Sequence, residues 1–143
     1  MKRVVADTNI IVSGTFWRGK PLEVLQGAEK GLYILLTSDE LLEELQRTLN
    51  KRKFERILIA LGISVQDVLA IYQENAAKVV PTKIPSDAVR DEKDIPVLAC
   101  AVGGKADAIV SGDSDLLSIG NYENIPILSA RQFLDLNAVV PNQ

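Results

Sequence analysis

With 143 residues, 47% of them hydrophobic, and 19 acidic against 16 basic side chains, the chain has the composition of one ordinary globular domain at a formal charge of −3. Histidine is absent and cysteine occurs once. These two counts exclude Ser-His-Asp and Cys-His catalysis, every His-containing metal site, an intramolecular disulfide and a Cys-based zinc cluster.

What remains for polar chemistry is carboxylates, hydroxyls, amides, Lys and Arg, a set suited to hard, oxygen-seeking cations. The apolar stretch near the N-terminus is too short for a signal peptide, and no run approaches the ~18 apolar residues of a membrane span. A cytoplasmic protein with no membrane contact is expected, one domain covering residues 1–143. The mild acidity argues against a generic nucleic-acid coat but leaves room for a local basic patch.

Short apolar runs alternate with helical periods, the pattern of an α/β fold with parallel strands. Arg3 to Ala6 reads as the first strand and ends at Asp7. Pro21 fits the first turn of a helix running to Gly31, and Leu32 to Leu36 reads as a second buried strand. Thr37 and Glu40 stand at capping-box spacing before a helix whose side is covered by Leu41, Leu42, Leu45 and Leu49. Phe54 to Leu61 is helical and stops at Gly62; Ser64 then caps a helix reaching Lys78.

Val79 to Pro85 reads as extended. Asp94 is placed to cap a helix with Pro96 in its first turn, ended by Gly103-Gly104. Ala108 to Ser111 is a buried strand delivering Asp113, and Pro126 to Leu128 is a last short strand. Ser129 and Gln132 repeat the capping-box spacing before a terminal helix, ARQFLDL. The alternation predicts a three-layer α/β/α sandwich around a central, mainly parallel sheet.

Open parallel sheets bind ligands outside the carboxyl ends of their strands, where the strand order switches. Acids stand at two such ends: Asp7 after KRVVA, and Asp113 with Asp115 after ADAIVSG. If the two strands are neighbours the side chains converge. Carboxylates about 4 Å apart repel by ~4 kcal/mol at an effective dielectric near 20, so such a cluster implies bound cations, protonation or a basic partner. Each acid also has a plain structural role open to it. Asp7 can close the strand with an Asx-turn, Asp113 and Asp115 can cap the DLLSI helix, and Asp94 can cap its own. Glu44 lies nearer the apolar stripe of its helix than Glu43 and can lean toward the sheet, although an ordinary surface glutamate has the same periodicity.

The segments VVADTNIIVSG, SDELLEELQRTL and DEKDIPVLACAVGGKADAIVSGDSDLL resemble the PIN-domain family, and within it the VapC-like toxins of toxin–antitoxin pairs. The resemblance covers nearly the whole chain; 51–84 is its weakest part. It implies a metal-dependent ribonuclease with Asp7, Glu44, Asp94, Asp113 and Asp115 as the acidic site, and it places Ser111 and Asn9 at the family's polar positions.

With no imidazole or reactive thiol, the attacking water must be activated largely by metal. The expected cofactor is Mg²⁺ (or Mn²⁺), ligated directly by Asp7, Asp94 and Asp113, while Glu44 and Asp115 ligate through water or orient it. Ser111 and Asn9 would position the scissile phosphate or hydrogen-bond the acids.

An acidic site repels RNA unless its rim is basic. Arg47, Lys51, Arg52, Lys53 and Arg56 lie within ten residues, opposed only by Glu55; a solvated helix corner would look the same. Trp17-Arg18-Gly19-Lys20 pairs a stacking ring with two cations, although Trp17 can equally pack on the core. Phe54, Tyr72 and Phe133 read as core, and Cys100 as a small buried hydrophobe.

The resemblance also implies the partners: an RNA substrate, a small antitoxin protein and a second copy in a homodimer. Two other functions compete. One is a PIN-like RNA-binding or regulatory module without strong nuclease activity. The other is an Asp-dependent phosphotransferase using Asp7, against which stands Thr8-Asn9 where those families carry a second aspartate.

Overall fold

The computed structural model describes residues 1–137. Its elements run β1 (Arg3–Ala6), α1 (Thr8–Phe16), α2 (Lys20–Glu29), β2 (Ile34–Thr37), α3 (Asp39–Leu49), α4 (Glu55–Leu61), α5 (Val65–Glu74) and β3 (Ala76–Lys78). There follow α6 (Ile95–Gly103), β4 (Ala108–Val110), α7 (Ser114–Ile119), β5 (Asn121–Tyr122), β6 (Ile125–Leu128) and α8 (Ala130–Asn137). Single 3₁₀ turns, Arg52–Phe54 and Glu92–Asp94, lead into α4 and α6.

The strands form one sheet in the order β3-β2-β1-β4-β6-β5, parallel throughout except for β5, which runs antiparallel to β6. Alternate side chains of a strand point to opposite faces, and the core divides accordingly. Val4, Ala6, Leu35, Ala108 and Val110 pack against α1, α2, α5, α8 and the later half of α3. Val5, Leu36, Ile109 and Ile127 pack against α6 and α7. Helices cover both faces, which makes the predicted three-layer sandwich. Leu35 and Leu98 are almost wholly buried, so truncating either to Ala would destabilise the fold by about 2–5 kcal/mol. No helix among the described residues is long and apolar enough to cross a membrane.

Several local expectations are corrected. Residues 8–16 form a helix that the sequence pattern does not announce. Its Ile10, Ile11, Val12 and Gly14 are all buried, so it has no polar face to generate a 3.6-residue period. Gly14 lets α2 approach closely, since a Cβ there would meet the Pro21 carbonyl oxygen at 2.9 Å. The second strand starts at Ile34, and Leu32 is exposed.

Ser38, not Thr37, caps α3, accepting from the Leu41 amide at 3.3 Å. The Ser64 helix stops at Glu74, because its continuation Ala76–Lys78 pairs in parallel with β2 as an edge strand. The pairing wins over the helix propensity of Ala-Ala-Lys. Gly62 does end α4, in the left-handed conformation at φ +69°.

Candidate functional site

The strand order puts β1 beside both β2 and β4. The chain leaves β1 for β2 on one side, while β4 lies on the other, so a crevice opens between the carboxyl ends of β1 and β4. Ala6 is paired with Val110, and the Asp7 amide donates to the Val110 carbonyl at 3.0 Å. Asp7 and Ser111 therefore emerge side by side.

From there a chain of hydrogen bonds fixes the acids. The Ser111 hydroxyl donates to Asp7 Oδ2, and Asp7 Oδ1 accepts from the Ile10 amide at 3.0 Å, capping α1. Ser111 Oγ accepts from the Asp113 amide at 2.9 Å. Asp113 Oδ1 accepts from the Asp115 amide at 3.0 Å and caps α7. Asp7 and Asp113 thus serve as caps while also facing the crevice; the two readings of each residue coexist. Asp7 is 5% exposed and Ser111 fully buried, which places Ser111 behind the acids rather than on the open surface.

Glu44 is half-buried on α3 and accepts from the Thr8 hydroxyl, whereas Glu43 is exposed. Asp94 departs from expectation. It closes the 3₁₀ turn ahead of α6, makes no capping bond, and its buried Oδ2 has no hydrogen-bond partner. Asp91 caps that 3₁₀ turn instead, accepting from the Lys93 amide at 3.0 Å.

Asp91, Asp94 and Asp115 each present a carboxylate oxygen within 4.8 Å of the others. Of the three expected direct metal ligands, only Asp94 belongs to this compact group. Asp7 is tied to Ile10 and Ser111, with Asp113 and Glu44 as its charged neighbours.

The electrostatics follow from burial and like charge. Asp94 is pushed up to about 7, first by burial, then by the hydrogen-bonding and charge of Asp113, and further by Asp91 and Asp115. Burial raises Asp7 as well. The bonds from Ser111 and Ile10 oppose that rise, and the charges of Asp113 and Glu44 add to it.

These residues line a cleft of about 450 Å³. Of the acids, Asp7, Glu44, Asp91, Asp94 and Asp113 line it, and Asn9, exposed on α1, does too. Arg47, Lys51 and Lys93 form its basic rim. Asp115 sits just outside, 3.9 Å from the exposed Arg90. The rest of the predicted basic set lies off the cleft. Arg52 and Lys53 are exposed on the 3₁₀ turn after α3, Arg18 is exposed, and Lys20 pairs with Glu23 at 3.6 Å.

Asp91, Thr8 and Lys93 are additions that sequence reasoning missed. Asp91 had a signal, standing three residues before Asp94 in RDEKD. Thr8 had none, because its partner Glu44 is 36 residues away.

Residues 3–115 match the family profile of the PIN domain. The chain therefore belongs to the PIN-domain family, whose members are generally metal-dependent nucleases working through an acidic cluster, and it is a nuclease-type protein at that level. A search of curated proteins and a search of solved structures each found no match.

The donor set fits a hard divalent cation. Every candidate ligand is a carboxylate oxygen, and Asp94 Oδ2 is buried without a partner among negative neighbours. A buried acceptor in that state either holds a proton or meets a cation.

Proposed function

We propose that the protein is a Mg²⁺- or Mn²⁺-dependent endoribonuclease that hydrolyses RNA phosphodiester bonds in this cleft, and that it is the toxin of a type II toxin–antitoxin pair. In that role it acts in the cytoplasm as a single-domain protein, neutralised by a small antitoxin protein and able to form a homodimer. The observation that carries the reading is the meeting of Asp7, Asp94 and Asp113 from three separate segments, with one carboxylate oxygen left unpaired.

Asp94 and Asp113 would hold the cation together with Asp7, and Asp91 and Asp115 extend the same donor set. When bound, the cation supplies a water of depressed pKa and polarises the phosphate. The remaining work falls to the chain's own side chains. Ser111 keeps the Asp7 carboxylate in place by donating to it, and Thr8 does the same for Glu44. Glu44 would then orient a water molecule by accepting a hydrogen bond from it. Asn9 offers an amide to a phosphate oxygen. Arg47, Lys51 and Lys93 offset the repulsion between the acids and the RNA backbone.

The test is cleavage of mixed RNA substrates by wild type, Asp7→Asn and Asp113→Asn, with Mn²⁺ and with excess chelator. The expected outcome is metal-dependent cleavage by wild type and a loss of at least about 100-fold in each variant, since a ligand site is worth several kcal/mol and each 1.36 kcal/mol is tenfold. Equal cleavage in chelator would overturn the metal-dependent reading, and a rise in melting temperature with Mn²⁺ in wild type alone would support it.

A further inference from the structure

Ten residues beyond Asp7, where α1 ends, the chain's one tryptophan stands half-open to solvent, 53% exposed. It is held from beneath. Phe16 meets it edge-on with ring centres 5.6 Å apart and planes at 79°, and Phe16 stacks on the buried Phe54 at 5.4 Å and 27°. Trp17 and Phe54 are 6.3 Å apart. The indole is thus anchored by two rings and keeps much of its own surface in water. Edge-on and tilted ring contacts of this kind are favourable geometries and set the orientation of the indole.

The surroundings are cationic. Lys51 lines the acidic cleft, Arg52 and Lys53 follow it on the 3₁₀ turn, and Lys53 Nζ lies 5.2 Å from the centre of the Phe54 ring. Arg18 is the next residue after the tryptophan. Among the described residues, none of these four cations is in an ion pair. Positive charge free of ion pairs thus runs along the chain from Lys51, at the cleft, to Lys53, beside the Phe54 ring that underlies the indole. The nine residues of α1, at about 1.5 Å rise each, put the indole about 13 Å from the Asp7 end of the helix. This is about four nucleotides at the 3.4 Å spacing of a stacked strand.

We infer that Trp17 is a stacking platform for an unpaired base of the RNA, with Lys51, Arg52 and Lys53 following the phosphates between it and the cleft. The inference rests on the proposed function and adds to it a base-binding subsite a few nucleotides from the cut. Every base has a π-face, so the platform accepts any of the four. A duplex buries those faces in its own stack and is rejected.

Because Trp17 is the only indole, its emission reports contact directly. The titration is done in chelator, so that the RNA stays intact, with a single-stranded octamer, the same sequence as a duplex, and an abasic ribose–phosphate octamer of equal charge. The octamer quenches the emission, and the duplex and abasic chains do not. Trp17→Ala binds the octamer about tenfold more weakly and Trp17→Phe about threefold more weakly, as for loss and partial retention of one stacked base. With Mn²⁺, Trp17→Ala needs more RNA for half-maximal cleavage but reaches the wild-type rate at saturation.

Equal quenching by the abasic chain, absence of octamer binding, or unchanged affinity of Trp17→Ala overturns the platform. A changed oligomeric state in Trp17→Ala with unchanged RNA affinity also overturns it and assigns the indole to a protein contact. If wild type and Trp17→Ala cleave alike at every RNA concentration, the platform fails and the nuclease reading stands. If neither cleaves yet the emission answers to bases, the nuclease reading fails and the platform stands.

Discussion

Two aspartates that line one cleft and are almost equally shielded from solvent are treated differently by the chain. Asp7, on the β1–β4 side, has both carboxylate oxygens engaged, by the Ile10 amide and the Ser111 hydroxyl. Asp94, on the α6 side, has one buried oxygen with no partner and three acidic neighbours. The first is oriented by the protein in advance; the second is completed only by something that arrives, a proton or a cation. Burial alone does not distinguish them. The difference lies in who supplies the donors.

The largest expected break of this contrast is Ser111→Ala. It removes the donor that holds Asp7 while leaving every acid in place. Metal affinity or cleavage should fall about 10–100-fold, as for loss of a group that orients a ligand, with Ser111→Thr retaining part of the activity. Isothermal titration with Mn²⁺ checks the affinity, and an unchanged affinity would remove Ser111 from the positioning role.

Asp94→Asn sharpens the contrast from the other side. In chelator, wild-type Asp94 binds its proton more tightly when folded, at about 7 against 3.8 unfolded. Below about pH 4 both states are protonated and Asp94 makes no charge-burial penalty. As pH rises toward and through 7, that favourable linkage is lost, and a buried carboxylate must be charged. Asn is neutral at every pH, so the variant should melt higher than wild type by about 3 °C or more at pH 8 and by least at pH 4. Mn²⁺ should reverse the order by stabilising wild type only. Melting curves at three pH values, with and without metal, decide it.

The smallest effect belongs to the rim. Lys51→Ala should weaken RNA binding a few-fold and flatten the log–log salt slope by about 1, the signature of one lost phosphate contact. Glu43→Ala, on the exposed side of α3, should change neither.

Much of this was readable beforehand because the relevant physics is local. The strand ending at Asp7, the Ser64 and Asp113 caps, the Gly62 stop and the leaning of Glu44 all follow from spacing and backbone preference. The neighbouring of β1 and β4 was only a condition in the sequence, and on it the convergence of acids depends.

What escaped notice was decided at long range or lacked a periodic signal. Helix α1 is buried on too many sides to look amphipathic, and β3 is a piece of helix-favouring sequence captured by β2. Asp94 looks like a cap because its neighbours Ile95 and Pro96 start a helix, but Asp91 shapes the turn before it. The Thr8–Glu44 bond joins segments that no window of residues brings together.

The two rims of the sheet carry a last consequence. β3 has three residues and ends at Lys78, which pairs with Asp39 at 2.8 Å; β5 at the other rim has two. Rims this short, one closed off by a lysine, offer few free amides and carbonyls to a strand from outside. β-Augmentation and amyloid-like stacking are therefore disfavoured routes. Among the described residues, a docking protein therefore meets helices and side chains more readily than an open strand edge.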